Sequence, residues 1–363
     1  MFLRCLALAD FRNYRSLAVE FAPGVNLFWG ANAQGKSSLL EAVYFLITGR
    51  SFRTQRLKDL VRDGATTFCI EALFSKQGVD HQIQVRSDGS RHRILLNQTS
   101  CPALSSLLGR LQGVIHTAED AALIRGAPAL RRRYLYLQLA QADPVYLRAL
   151  ARYHRALKQR NLLLKTGDRL DLENWNQPLA EAAALIALRH HSLVAALNEL
   201  SPRVQDVLSA NQDQLELSYK SEAVAHTDPE LLAHRYLEAL QKNVHRELAF
   251  GSTLIGPHRD DLTILLQTRE ARYFASEGQQ RSCAAALRLA EWHRLRDATG
   301  ETPLMLIDDM GLGLDPYRRQ QFEQQLESLG QVFVTSPVES LSGKTFEIKA
   351  AQISSSQKRS AST

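Results

Sequence analysis

Trp29-Gly30-Ala31-Asn32-Ala33-Gln34-Gly35-Lys36-Ser37-Ser38 fits G-x-x-x-x-G-K-[ST], and its flanks decide how it is read. Val25, Asn26, Leu27, Phe28 and Trp29 before it form a short, mostly apolar, β-prone run. Leu39, Leu40, Val43, Leu46 and Ile47 after it recur at helical spacing. The glycines therefore lie at a strand-to-helix turn, the context that a phosphate-binding P-loop requires. Gly30 and Gly35 let the backbone bend so that the N–H groups of Ala31 to Ser38 face a phosphate. The helix N-terminus adds partial positive charge, Lys36 reaches the β- and γ-phosphates, and the Ser37 hydroxyl ligates Mg²⁺. The implied ligand is a nucleoside triphosphate.

A P-loop needs a metal-binding acid at the end of another buried strand. Leu304-Met305-Leu306-Ile307-Asp308-Asp309 supplies one, because four apolar residues before two acids carry a carboxylate out of the core. Asp308 is the expected metal ligand, and Asp309 the group that positions or deprotonates an attacking water. Taken alone, such an ending is more often a solvated acidic turn; the P-loop gives it meaning. Upstream, Ser276-Glu277-Gly278-Gln279-Gln280 opens a helical pattern (Ala284, Leu287, Leu289, Ala290), so Ser276, Gly278 and Gln279 form a candidate second phosphate cradle like an ABC-type signature. Such a loop would act on nucleotide held by a second copy, clamping two heads around two ATP molecules. Ser276 and Gln279 also fit a helix capping box, and both readings hold together.

At this point the chain resembles the RecF family, bacterial recombination mediators related to SMC and ABC-type ATPases. The resemblance spans nearly the whole length. It rests on Phe11-Arg12-Asn13-Tyr14, the P-loop with Leu40-Glu41-Ala42, Gly49-Arg50-Ser51-Phe52-Arg53, and Glu119-Asp120 followed by Arg125-Gly126, Pro128 and Arg131-Arg132-Arg133. It continues through Gly256-Pro257-His258-Arg259-Asp260-Asp261-Leu262, the Ser-x-Gly-Gln loop, and the double-aspartate strand end leading to Leu314-Asp315. The Gly256 to Leu262 string is the most specific of these; physically it reads only as a turn with charges at a strand start. The resemblance implies an α/β ATPase head with a mixed sheet and an inserted helical arm. It implies ATP and Mg²⁺ as cofactors, with Arg12 and Asn13 also at the nucleotide, and an ATP-dependent homodimer that binds duplex DNA. The implied task is recombinational repair, with RecR and RecO as partners in loading the recombinase beside a single-strand to double-strand junction. Some positions depart from the family pattern: Leu312 and Gly313 where Ser-Glu is usual, Ala118 for a proline, and Tyr136 for an aspartate. No switch glutamine is evident, and Thr335 stands where a switch histidine is expected, so slow ATP turnover is the expectation.

At 363 residues the chain suits one composite head with an insertion. The expected division is 1–117 for the first part of the head, 118–246 for a basic helical arm, 247–350 for the rest of the head, and 351–363 for a disordered polar tail. Residues 2–8, 17–21 and 25–29 read as strands, and later alternating runs such as Phe68, Ile70, Ala72, Phe74 predict antiparallel additions at the sheet edge. In the arm, Tyr146, Leu150, Tyr153, Leu157, Leu164 and then Leu179, Ala183, Ile186, Leu193, Leu197, Leu200 recur like two helices zipped along one seam. Gly167 and Pro178 fall between them, and a third helix starts at the capping box Thr227 to Glu230. Four scattered cysteines, at 5, 69, 101 and 283, indicate a reducing compartment, and no run is long enough to span a membrane, so a cytoplasmic location is expected. His258, Asp260, Asp261 and the other histidines offer no metal-ligand spacing.

Charge locates the macromolecular partner. Between Arg125 and Arg169 there are eleven Lys or Arg against two acids, Asp143 and Asp168, an excess larger than the whole chain's net charge of +6. Arg131, Arg132, Arg133, Arg148, Arg152, Arg155 and Lys158 are the candidate DNA contacts, with Tyr134, Tyr136 and Tyr153 interleaved. Basic faces are often merely solvated, and these arginines also have the option of pairing with acids. The spread lacks a compact recognition helix and points to backbone contacts rather than base readout. A small-molecule kinase is the rival that the P-loop alone permits; it needs an acceptor pocket and a lid, and has no use for the Ser-x-Gly-Gln loop. An SMC-like tether and a transporter ATPase fit less well with so short an arm.

Overall fold

The computed structural model describes residues 1–167, 171–221, 228–309, 313–339, 341 and 343–357. Asp168, Arg169, Thr227, Leu312 and the tail from 358 onward, all used in the sequence reading, lie outside the described residues. The strands in chain order are β1 (Phe2–Phe11), β2 (Tyr14–Glu20), β3 (Val25–Trp29), β4 (Phe68–Lys76), β5 (Val79–Ser87), β6 (His92–Leu96), β7 (Thr99–Cys101), β8 (Gly113–Thr117), β9 (Leu215–Lys220), β10 (Asp261–Leu266), β11 (Arg269–Glu270), β12 (Leu304–Asp308), β13 (Val332–Ser336), β14 (Lys344–Lys349) and β15 (Gln352–Gln357). The chain divides into two compact units: Met1–Ala121 with Val204–Gln212 and Glu277–Thr363, and Ala122–Arg203 with Asp213–Ser276.

The first unit holds two six-stranded sheets. One has the order β15-β14-β3-β13-β12-β8, and its strands from β14 to β8 are parallel, so β3, β13, β12 and β8 end on one side. Their sequences explain the placement. Strands buried on both faces read as unbroken apolar runs, and Leu304 to Ile307 and Val332 to Val334 are such runs, all at most 1% exposed. The antiparallel strands that the alternating pattern predicts form a sheet of their own, β2-β1-β4-β5-β6-β7, rather than an edge of the P-loop sheet. The helix Lys36–Thr48 is buried all round from Ser38 onward, and its residues Leu39, Val43, Phe45 and Ile47 join residues of both sheets in one core. Phe21, Phe28, Phe333 and Phe346 meet face to face and edge to face within it, and each such pair adds roughly 1 kcal/mol beyond area burial.

The second unit is mainly helical, with a small sheet of order β11-β10-β9. The helices Pro144–Thr166 and Leu172–Ser209, the latter continuing past Arg203 into residues of the first unit, supply the predicted pair. The buried stripe of the former is Tyr146, Ala149, Tyr153, Ala156, Arg160 and Leu164, with Leu150 and Leu157 only half-buried. Gly167 does end that helix in a left-handed conformation, φ 75°, but Pro178 lies inside the next helix and marks no turn. It only removes one backbone donor there. Asp228 itself caps the helix Pro229–Lys242 by accepting from the Glu230 and Leu231 N–H groups.

Two expected boundaries change. Residues 247–276 belong with the arm, because β10 pairs antiparallel with β9 from Asp261–Lys220 to Leu266–Leu215 and Arg131 binds Asp261. The stretch 352–357, expected to be disordered, is β15, paired with β14 from Lys349–Gln352 to Lys344–Gln357.

Candidate functional site

The P-loop is shaped by three left-handed residues, Gly30 (φ 146°), Ala33 (φ 64°) and Gly35 (φ 115°). A Cβ at Gly30 would lie 2.4 Å from the Ile348 carbonyl oxygen on β14, and one at Gly35 would meet Asn13 and Tyr14 at 2.7 and 2.9 Å, so both positions require glycine. The loop is braced from outside. Tyr14 OH donates to the Gly35 carbonyl and Asn13 Nδ2 to that of Gln34, while the β14–β15 turn donates Ala351 N–H to Gln34 O and Ala350 N–H to Gln34 Oε1. Lys36 Nζ spans the loop, donating to Gly30 O at 2.6 Å and Ala31 O at 2.8 Å. Burial lowers its pKa, and the facing carboxylates of Asp309 and Asp308 oppose that shift.

β3 and β12 flank β13, and their C-terminal ends stand in register, with Ser336 opposite Trp29, Thr335 opposite Phe28, and Ile307 opposite Val334. Ligands of parallel α/β sheets bind at such carboxyl ends. Thr335 Oγ1 donates to Asp308 Oδ1 at 2.9 Å and accepts from the Asp309 N–H at 2.7 Å, which fixes both acids. Asp309 is left-handed (φ 68°), and burial, then the neighbouring Asp308 charge, raise its pKa against the pull of Lys36. An open cleft of about 740 Å³ is lined by Asn13, Asn32, Ala33, Gly35, Lys36, Ser37, Ser38, Asp309 and Thr335. Among the described residues no three His, Cys, Asp or Glu gather as a metal cage. Asp308 and Ser37 could offer oxygen donors of the kind that Mg²⁺ takes, one carboxylate and one hydroxyl beside phosphates.

Arg12 lines the cleft, yet its guanidinium is committed: Nε and Nη2 donate to Glu41 at 2.8 and 2.6 Å, and Nη1 to the Asp59 carbonyl. Glu41 is fully buried and also receives Ser51 Oγ and, at 3.5 Å, Arg53. The Phe11 to Tyr14, Leu40 to Ala42 and Gly49 to Arg53 motifs thus meet in one charge network around the buried Glu41 of the P-loop helix. That gives Arg12 a bracing role at the wall of the same cleft.

The helix Glu277–Thr299 starts directly after Ser276. Ser276 and Glu277 are exposed, Gly278 and Gln279 half-buried, and a Cβ at Gly278 would meet no heavy atom within 4 Å. Sequence reading missed the cluster beside this helix. At the end of β8, His116 Nδ1 lies 3.1 Å from Asp120 Oδ2, and Arg288 holds Asp120 at 2.7 and 3.1 Å and Glu291 at 2.9 Å. Burial pushes the Asp120 carboxyl up, but Arg288 and His116 hold it well below the usual range. Asp120 also closes a capping box with Thr117, and Asp315 caps the helix Pro316–Leu326, so the Glu119-Asp120 and Leu314-Asp315 motifs have local structural reasons.

The basic candidates separate into two sets. Arg131 is 2% exposed, bidentate to Asp261 at 2.8 and 2.9 Å and bonded to the Gly126 carbonyl, so it is no surface contact for DNA. Arg132 is half-buried and donates to the Asp260 carbonyl; Arg133 is half-buried. Arg148, Arg152, Arg155 and Lys158 are exposed on one face of the helix Pro144–Thr166, Arg152 sharing its charge with Glu181 at 3.2 Å.

The Gly256 to Leu262 string now has a role in the same unit. Asp261 anchors Arg131, and Asp260 accepts from Tyr219 OH at 2.6 Å. His258 Nε2 donates to the Thr253 carbonyl and Nδ1 accepts from Tyr153 OH. Gly256 (φ 132°) passes so close to Tyr153 that a Cβ would sit 2.5 Å from its hydroxyl oxygen. Tyr146 OH, His190 and Tyr219 OH continue this buried chain to Asp260. Burial lowers the pKa of His190 to about 3 and of His258 to about 4. The unfolded chain therefore binds more protons below pH 6.5, and the stability these rings contribute, complete above that value, is lost as pH falls towards 4 and 3. At pH 5 the loss is about 2 kcal/mol for His190 and less for half-buried His258. Thermal melts at pH 7.5 and 5.0 test this: the melting temperature falls between them, and falls less in His258→Gln.

A family model described as RecF/RecN/SMC N terminal domain matches residues 2–360. A DNA replication and repair protein RecF of Protochlamydia amoebophila is 42% identical over 337 residues, 93% of this chain and 94% of that one. A protein of the same name from Chlamydia caviae is 38% identical, with 96% of each chain covered. A solved structure named as the recombination mediator protein RecF with ATP, in the RecFOR pathway, superposes with a TM-score of 0.90 at 31% identity, covering 98% of this chain and 97% of that one. An SMC head bound to the C-winged helix domain of ScpA, at 14% identity and TM-score 0.61 over 99% of both chains, shares the fold.

Proposed function

The chain belongs to the RecF family of DNA replication and repair proteins, and from that premise we propose that it is an ATP-gated clamp on duplex DNA in recombinational repair. ATP binds in the cleft at the strand ends, with Lys36 and the loop amides of Ala31 to Ser38 on its phosphates. Ser37 and Asp308 would hold Mg²⁺, whose charge would offset that of the phosphates. Asp309, with its raised pKa, orients the attacking water and takes its proton. Hydrolysis is slow, because the Thr335 hydroxyl is already engaged by Asp308 and the Asp309 N–H and offers no further proton.

A second copy supplies Ser276, Gly278 and Gln279 to the γ-phosphate. The exposure of that turn, with open space at Gly278, supports this reading. The closed dimer grips duplex through Arg148, Arg152, Arg155 and Lys158 of each copy, near single-strand to double-strand junctions. RecR and RecO are the partners in delivering the recombinase, and the protein acts in the cytoplasm. Among the described residues no helix is long and apolar enough to cross a membrane.

The observation that carries the proposal is the meeting of Lys36, Asp308, Asp309 and Thr335 at three aligned strand ends. Sedimentation with and without ATP and duplex DNA tests it: mass doubles with ATP and rises again with duplex. A monomer under all conditions rejects it. Salt provides a second measurement. Binding weakens about ten-thousandfold between 50 and 200 mM salt, for roughly eight phosphate contacts, four from each copy. Arg148→Ala with Arg155→Ala and Lys158→Ala makes the salt slope shallower by about one for each phosphate no longer neutralised. An unchanged slope removes this helix face from the interface.

A further inference from the structure

Gly313, four positions after Asp309 in the chain, has φ +81°, and a Cβ built on it would lie 1.3 Å from Arg281 Nη1 and 2.2 Å from its Cζ. The guanidinium thus occupies the space in which any side chain at 313 would start. Arg281 lies on the helix Glu277–Thr299, one turn after Glu277, and its Nη2 donates to Glu277 Oε1 at 2.6 Å. Its side chain is one-third exposed at 33%, yet Nε is buried. With His116, Thr117, Asp309 and Leu314 it walls a small chamber of about 20 Å³, room for one water. A single planar cation therefore touches the first turn of the signature helix, the backbone at Gly313, and the chamber that Asp309 also lines. The guanidinium is a rigid fork, which suits it to fixing two backbone segments against each other.

We propose that Arg281 is a positioning residue: it braces the Glu277–Gly278 turn against the backbone at Gly313 within one head, so that the turn is preorganised for the nucleotide of a second copy. Gly313 is the other half of the device, because only the absence of a side chain admits the guanidinium. The inference deepens the clamp reading above and rests on it. A preorganised turn pays less ordering cost when the second copy docks, so the brace acts on self-association rather than on ATP capture at the same head's P-loop.

The test is a double-mutant cycle on wild type, Arg281→Ala, Gly313→Ala and the double variant. It measures melting temperature, ATP affinity of the dilute monomer, and ATP-dependent self-association. Arg281→Ala weakens self-association about tenfold with monomer ATP affinity unchanged. Gly313→Ala displaces the guanidinium and gives the same loss, and adding it to Arg281→Ala changes association less than about twofold. Additive losses overturn the inference, as does a parallel fall in ATP affinity and association, which a merely structural role predicts. If wild type itself fails to self-associate with ATP, the clamp reading falls and this inference with it. If wild type associates and the losses add, this inference alone falls.

Discussion

Lys36→Ala is expected to lower ATP affinity at least about a hundredfold and to abolish ATP-stimulated duplex binding, with the melting temperature within about 2 °C of wild type. Lys36 Nζ is the cation that crosses the P-loop mouth, bonded to two loop carbonyls and facing two carboxylates. Charge-assisted bonds to phosphate oxygens contribute about 1.5–3 kcal/mol each, so losing two of them already gives the hundredfold figure. The loss is compounded because Asp308 and Asp309 then meet the triphosphate without that counter-charge. The fold survives because the loop is held independently by Tyr14, Asn13 and the β14–β15 turn. Nucleotide binding by titration and duplex binding with and without ATP measure the two effects. A variant that still gains duplex affinity on adding ATP overturns the assignment of this lysine.

Arg160→Ala is expected to cost about 3–5 kcal/mol, a fall of roughly 10 °C in the melting temperature of the helical unit. Arg160 and Glu247 are both fully buried and joined at 2.6 Å. The remaining guanidinium donors go to Asn176 Oδ1 and Thr253 Oγ1, each at 2.8 Å. Truncation strands the Glu247 charge in the core and leaves a cavity. Arg160→Met with Glu247→Leu recovers most of the loss, because a buried ion pair as a whole contributes little net stability. The neighbouring exposed Arg155→Ala changes the melting temperature by no more than about 2 °C. Equal losses from the two alanine variants would sink the distinction.

That contrast shows what the sequence made legible. Arg155 and Arg160 are equivalent in a charge count, and only the fold puts Glu247 beside one of them. Arg131 is the same case, its partner Asp261 lying 130 positions away. The P-loop and the Asp308–Asp309 strand end could be read directly, because their chemistry is contained in a few consecutive residues and the periodicity of their flanks. Arg12 was legible only in part: its motif points at the nucleotide cleft, which it lines, and only the fold shows its guanidinium bonded to Glu41 of the P-loop helix. The arm boundary failed similarly: β9 and β10 are far apart in sequence, and their pairing draws residues 247–276 into the helical unit. Nothing local announces a pairing. The Gly256 to Leu262 string was recognised without being understood, because its purpose is to hold partners at residues 131, 153 and 219.

The late-synthesised strand β14 runs beside β3, and the turn that follows it holds Gln34 by two hydrogen bonds. During translation, then, the lysine and glycines emerge from the ribosome some three hundred residues before their last supports. A prematurely terminated fragment carries the fingerprint without the finished cradle.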